Sequence, residues 1–489
     1  MLHLTCVLLY SCILLLCGGI ISSGHPIKHA NLRAMHLYHL SNESYNYNHS
    51  DNVVIESYIS SRIDHFNSAD TRTYQQRIYS NSQYYTSGGA IYIYIGGEAE
   101  LTARSIQAGE INNQLFIVNN ARSNGAMLYG IEHRYYGVSH PFSTLDTANL
   151  QYLTSQQALA DIAQFIIYIK QYNHQFNDAQ VIVFGGSYPG ALSSWAKLKY
   201  PHLISASIAS SAPVLAKLDF YEYDLATQQA LGDTCTDSII IALHDVEQLL
   251  LNNSIELKQS FGCSDISDDV GFLYILADAV AYSAQYTSNQ PGARYHLREF
   301  MCSIFADTSK TPVYNYIRYV SELFHRLNTN CVDFSMAEQS LMNTDTSPQY
   351  NQRQWYYQSC KEFGYFQSSP PAPHKSLRSS RLTVEWHIQL CNKVFQSNSM
   401  PPAIAYTNQY YMGNKPTGSY VTYVNGLIDP WHVLSVLDRQ DCCSTLIPVI
   451  SADSSHCADL AAPKHDDPQS LVLAREQVST LLHQWANQS

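Results

Sequence analysis

Between residues 91 and 214, short β-rich apolar runs alternate with stretches whose apolar positions recur every three to four residues. Ile91-Tyr92-Ile93-Tyr94-Ile95, Ala126 to Tyr129, Val181-Ile182-Val183 and Ile204 to Ile208 read as strands. Thr154 to Tyr172 reads as a helix, with Thr154 and Gln157 placed as a capping box and Leu159, Ile162, Ala163, Ile166 and Ile169 on one face. Ala191 to Lys199 reads as a second helix, stopped at Tyr200-Pro201. Strand–helix alternation with short connections predicts a parallel sheet covered on both faces.

After Ser210-Ser211-Ala212-Pro213 the pattern becomes helical, as in Ser238 to Leu251 and Val270 to Ala284. Strand patterning resumes at Tyr420 to Val424 and again at Leu446 to Ile450. A mostly helical cap inserted over residues 216–400 accounts for this interruption, because no ordinary sheet connection is that long. The sheet domain is then divided into residues 50–215 and 401–489. Residues 1–24 are expected to be a signal peptide, since Leu4 to Ile21 is nearly unbroken apolar sequence followed by Ser22-Ser23-Gly24; with no Lys or Arg in Met1-Leu2-His3, an uncleaved signal anchor is the alternative.

Chemistry enters at the strand ends. Phe184-Gly185-Gly186-Ser187-Tyr188-Pro189-Gly190 joins an expected strand to an expected helix, and a serine on so sharp a turn has its Oγ exposed with backbone N–H groups beside it. A nucleophilic serine needs a base for its proton and an acid to orient that base. Asp429 follows the strand at 420–424, and His456 follows the strand at 446–450 beyond the polar loop Ser451 to Ser455. His432 is the competing base, only three residues after Asp429; the strand-end position favours His456. The chain order Ser187, Asp429, His456 is that of an α/β-hydrolase. The amide of Tyr188 and a second one near Gly97, in Gly96-Gly97-Glu98-Ala99-Glu100, are candidates for an oxyanion hole, and Glu98 for a substrate amine. Glu132-His133-Arg134 reads instead as a buried charge network.

Composition narrows the class. The net charge is −12 and no Lys/Arg run is present, which argues against a nucleic-acid partner. Of twelve cysteines, three fall in the expected signal and nine remain: Cys235, Cys263, Cys302, Cys331, Cys360, Cys391, Cys442, Cys443 and Cys457. An oxidising compartment pairs most of them, an odd one is left over or pairs between chains, and Cys457 is expected to be half of a disulfide. The scattered spacing contains no Cys-x-x-Cys pair, so a zinc site is not expected, and no cofactor is expected either. Asn42, Asn48 and Asn252 stand in glycosylation acceptor triplets, as does Asn487. Together these point to the secretory pathway, lysosomal/endosomal or secreted. No membrane span is expected after signal cleavage, and a homodimer is left open.

The chain resembles the serine peptidase group of lysosomal Pro-X carboxypeptidase, dipeptidyl peptidase II and thymus-specific serine protease. The resemblance rests on Asp64-His65-Phe66 with Gln76-Arg77-Ile78-Tyr79, Gly96-Gly97-Glu98, Glu132 to Gly137, Gly185 to Trp195 with Lys199 to His202, Trp355 to Cys360, and the Asp429 and His456 segments. Glu362-Phe363-Gly364-Tyr365 and Ser454-Ser455-His456-Cys457 look closest to the thymus-specific branch. It implies an α/β-hydrolase domain with a helical cap and a carboxypeptidase or dipeptidyl peptidase acting on peptide substrates, often beside proline. It also makes Trp431 a wall of the site. A Met that commonly stands four residues after the nucleophile is Ala191 here, and Pro189 replaces a common Gly. An esterase or lipase shares the triad order, and a non-catalytic binding protein shares the fold; the tracts favour a peptidase.

Overall fold

The computed structural model of the protein describes residues 54–487 apart from 111–113, 288–295, 335–337, 349–350, 398–399 and 440–444. The expected signal peptide, Asn42, Asn48, Cys442 and Cys443 lie outside the described residues. One eight-stranded sheet contains β1 (Val54–Arg62), β2 (Thr73–Asn81), β3 (Ile91–Ile95), β4 (Met127–Ile131), β5 (Val181–Gly186), β6 (Ala206–Ser210), β9 (Val421–Gly426) and β10 (Leu446–Ser451). Its order is β1-β2-β4-β3-β5-β6-β9-β10. The pairs from β4 through β10 are parallel, while β1–β2 and β2–β4 are antiparallel. This is the α/β-hydrolase sheet that the motif order implied, with an antiparallel edge that the apolar pattern did not predict. β1 exposes most of its residues, so it carries no hydrophobic signature.

Alternation along each strand divides the core into two layers. Ile91, Ile93, Val181 and Val183 face one layer with Leu159, Ile162, Phe165, Ile166 and Ile169 of the helix Ser155–Tyr172. Tyr92, Ile182, Phe184 and Ile208 face the other, with Phe116 and Val118 of the helix Phe116–Asn124 and Val478, Leu482 and Trp485 of the helix Gln469–Ala486. Each such large side chain contributes about 1.5–3 kcal/mol by leaving water. The expected capping box forms only in part: Thr154 Oγ1 accepts the Gln157 N–H at 3.2 Å, but the Gln157 side chain turns to Asp64 and the His65 N–H. That pins the 64–65 turn to the helix.

Between β6 and β9 the chain is mostly helical, broken by the short parallel pair β7 (Lys217–Asp219) and β8 (Gly364–Phe366). The helices Asp233–Asn252, Asp269–Gln285 and Pro312–Leu327 share a hydrophobic cluster of their own, including Ile239, Leu243, Phe272, Leu276, Tyr316 and Leu323. The segment is not detached from the sheet domain, because Tyr223, Trp355, Phe363 and Tyr365 belong to the main core layer. No helix among the described residues is long and apolar enough to cross a membrane.

Six cysteines of this region pair as Cys235–Cys302, Cys263–Cys331 and Cys360–Cys391. The first two close loops with sequence separations of 67 and 68. In the chain-entropy picture, loops of that length restrict the unfolded chain by about 4 kcal/mol each. The double variant Cys263→Ser/Cys331→Ser is expected to lose roughly 2–4 kcal/mol of stability in urea unfolding. An unchanged midpoint and slope would show that the bridge adds nothing to the fold.

Candidate active site

Ser187 occupies the single residue between β5 and the helix Tyr188–Lys199, with φ 65° and ψ −132°. An L-residue there carries about 1–3 kcal/mol of strain, which persists only when the surroundings over-determine it. Here they do. The Ser187 N–H donates to Ser210 O at 2.9 Å and Ser187 O accepts the Ala191 N–H at 3.1 Å. A Cβ on Gly185 would stand 2.0 Å from Pro189 O, and one on Gly190 2.5 Å from Ser210 O, so the turn closes only with glycine at both positions. Ser187 stays partly exposed while its neighbours on both sides are buried.

Pro189 sits in the first helical turn, where its missing N–H costs nothing. Its ring presses on the end of β3: a Cβ on Gly97 would lie 2.2 Å from Pro189 Cγ. The Gly96-Gly97-Glu98 turn thus packs directly on the serine turn, and Glu98 is buried. Tyr188 is held by its hydroxyl, which accepts from Gln358 Nε2 at 2.8 Å and lies 3.1 Å from His133 Nε2. His133 Nδ1 donates to Arg134 O at 2.6 Å, so Nε2 is the acceptor and Tyr188 the donor. Burial keeps this imidazole neutral by holding its pKa at about 4.

Asp429 lies just beyond β9 and caps the short helix Pro430–Leu434, its Oδ1 accepting the Trp431 N–H at 3.0 Å. Its Oδ2 accepts from His456 Nδ1 at 2.7 Å, and both side chains are buried. Burial lowers the His456 pKa, but the Asp429 carboxylate, joined by the Cys457 sulfur, outweighs it and holds the imidazole well above its ordinary value. His432 Nδ1 instead donates to the backbone O of Asp429 at 2.6 Å. Of the two histidines weighed from the sequence, His456 is the one on the carboxylate.

The strand ends are laced together. The Leu427 N–H donates to Ser451 O at 3.0 Å and the Ile428 N–H to Ser454 O at 3.1 Å, joining the loops after β9 and β10. The Cys457 N–H donates to Ser211 Oγ at 2.9 Å, and Ser210 Oγ donates to Asp459. Since Ser210 O also receives the Ser187 N–H, the end of β6 ties the serine turn to the His456 loop. A Cβ on Gly186 would meet Leu460 Cδ1 at 2.6 Å and Cys457 Sγ at 2.9 Å, which places that loop against the residue preceding Ser187. Cys457 is a buried free thiol rather than half of a disulfide. Its side chain fills the space over Gly186, and the expected partnership is corrected accordingly.

Trp431 is walled by Phe220, Tyr223 and Tyr365 at ring separations of 5.3–5.5 Å, and its Nε1–H donates to Gln285 Oε1 at 2.9 Å. Ala191 has no exposed surface and packs in the core layer behind the turn. Asn252 is exposed at the last residue of its helix. The 132–134 segment is the charge network expected. Arg134 makes a bidentate pair with Asp161, both bonds 2.7 Å, and Glu132 accepts from Arg77 and Ser139. Sequence reasoning missed Gln285, Ser210 and Asp459, none of which stands in a recognisable motif. Among the described residues no group of three or more His, Cys, Asp or Glu side chains could hold a metal ion.

A serine on a strained, partly exposed turn, with amides beside it and a buried carboxylate–imidazole pair on the adjoining loops, can carry out acyl transfer. The family model of serine carboxypeptidase S28 matches residues 61–478. Thymus-specific serine protease of Mus musculus is 34% identical over 457 residues, covering 88% of this chain and 87% of that protein. The human thymus-specific serine protease is 33% identical over 450 residues, covering 86% and 85%. Human lysosomal Pro-X carboxypeptidase is 27% identical over 461 residues, covering 88% and 87%. The chain therefore belongs to the serine carboxypeptidase S28 family and is a serine-type peptidase.

Proposed function

We propose that this chain is a secretory-pathway exopeptidase in which Ser187 attacks the scissile carbonyl, His456 takes the hydroxyl proton and returns it to the leaving amine, and Asp429 fixes the imidazole. The acyl-enzyme formed on Ser187 Oγ is then hydrolysed by water. The observation that carries this reading is the 2.7 Å Asp429–His456 bond on a loop packed against Gly186, beside the strained serine. The Tyr188 and Gly97 amides, brought together by the Pro189–Gly97 contact, are the candidate donors to the developing oxyanion. Residues 216–400 form the cap. Glu98 and Trp431 are proposed as substrate contacts, and the exposed Asn252 suits a glycan in a protein with three disulfides among its described residues. The name of one relative, Pro-X carboxypeptidase, supports cleavage beside proline.

Fluorophosphonate labelling and a peptide-library digest read by mass spectrometry test the mechanism and show which peptide end is trimmed. Ser187→Ala is expected to abolish labelling and lower turnover by about 10⁴-fold or more, with His456→Ala similarly damaging and His432→Ala mild. Retained labelling of Ser187→Ala would overturn the assignment.

The pH dependence follows from the ion pair. His456 acts as base only when neutral, so kcat/KM rises with pH through its raised pKa. Asp429→Asn removes the larger of the two influences that raise it, leaving Cys457 alone against the burial that lowers it. The acid limb of kcat/KM should therefore move to lower pH while kcat falls by about 10⁴-fold. A limb that stays in place would assign the titration to another group.

Ala191 is buried behind the serine turn and does not line an open pocket, so we propose that it bears on specificity only from behind that turn, where its small side chain leaves proline selectivity relaxed. Ala191→Met should raise the preference for proline over leucine, read as a ratio of kcat/KM values, by roughly 1–3 kcal/mol. Because Ala191 is fully buried, the same change should overpack the core and lower stability by about 1–3 kcal/mol. Destabilisation with an unchanged ratio would make residue 191 a packing position alone.

A further inference from the structure

Gln285 is the last residue of the helix Asp269–Gln285 in the inserted segment and is buried. Its backbone carbonyl accepts the His456 N–H at 3.0 Å. Its side-chain Oε1 accepts the Trp431 Nε1–H at 2.9 Å and the Tyr223 hydroxyl at 2.6 Å. An indole N–H is only a donor, so the amide must present its oxygen to Trp431 and its orientation is fixed. The Trp431 backbone N–H caps Asp429 Oδ1 at 3.0 Å, which extends the hold to the carboxylate. The next residue, Tyr286, sets its ring 5.7 Å from the His456 imidazole at 80°.

One helix end therefore grips both loops that form the Asp429–His456 pair. It reaches the imidazole loop through the main chain and the carboxylate loop through Trp431. We propose that Gln285 is a positioning residue, an amide supplied by the inserted segment that sets the Asp429 and His456 loops at their bonding separation. The proposal rests on the reading of Ser187, Asp429 and His456 given above. Its consequence is that a segment contributing none of the three reacting groups governs turnover. Without the Gln285 acceptor, a buried indole N–H and a buried phenol O–H must find other partners, and Trp431 shifts together with the amide that caps Asp429. A misplacement of about 1 Å in such a pair can lower turnover by about 100-fold.

The test uses the full chain with Gln285→Leu, Gln285→Glu, Gln285→Asn and Ser187→Ala. The measurements are kcat, KM, the pH profile of kcat/KM and the concentration of fluorophosphonate-reactive sites. In Gln285→Leu, kcat per reactive site is expected to fall roughly 10–100-fold with KM changed by less than about threefold. Its acid limb should move to lower pH, because a loosened carboxylate raises the His456 pKa less. Gln285→Glu keeps an acceptor in place and should recover most of the turnover. Unchanged kcat and pH profile in Gln285→Leu would overturn the proposal. If that variant does not fold, Gln285→Asn, which retracts the acceptor by one methylene, decides in its place: a fall in kcat supports the proposal and wild-type kcat overturns it. Labelling that survives in Ser187→Ala defeats the triad reading, whereas labelling lost there with an unaltered Gln285→Leu defeats only the role of Gln285.

Discussion

Ser187 is held at φ 65° by contacts that leave the chain no easier alternative, and much of the architecture exists to maintain that turn. The helix that follows it packs back on β5 and β6 so closely that Gly185 and Gly190 have no room for a side chain. The Ser210 carbonyl receives the Ser187 N–H and fixes the turn to the neighbouring strand. Strain of this kind survives because many buried apolar contacts on both faces of the sheet outweigh it. The same constraint brings the Gly97 turn and the His456 loop close to the serine, since Pro189 touches one and Gly186 the other.

Around this centre the protein spends polar groups where a simpler core would have used apolar ones. Arg134 and Asp161 are both buried, and their bidentate pair is completed by bonds to the carbonyls of Arg62, Ile63 and Tyr152 and by Tyr74 and His65. A buried pair of this sort gives little net stability, but every donor aimed at it fixes a segment, and here it joins the antiparallel edge of the sheet to the helix Ser155–Tyr172. Glu132 does similar work for the loop after β4, accepting from Leu101 and Val138 amides as well as from Arg77 and Ser139. Glu362 extends the pattern to the inserted segment: it accepts from the Ser155 amide and hydroxyl, and burial pushes its pKa up to about 7. Each of these networks ties a loop or helix near the serine turn to the sheet or to the inserted segment.

The inserted segment is anchored from both ends. Trp355, Phe363 and Tyr365 enter the main core, Gln358 holds the Tyr188 hydroxyl, and Gln285 reaches the loops after β9 and β10. A segment attached in this way cannot shift without disturbing Tyr188 and the loops that carry Asp429 and His456.

Much of this was legible in the amino-acid sequence because the evidence for it is local. The serine turn announces itself by glycines flanking Ser187 between an apolar run and a helix, and Asp429 and His456 follow β-patterned runs in an order that suits one sheet. The sheet core and the interrupting helices follow from apolar periodicity alone. The antiparallel edge was not legible, because β1 is mostly solvent-exposed and lacks that periodicity. Cysteine pairing, the free state of Cys457 and the grip of Gln285 were not legible either, since each depends on which distant backbones come within bonding reach. Sequence determined the kinds of residue that stand at the strand ends; only the packing of helices on the sheet decided their separations, and with them which histidine meets the carboxylate.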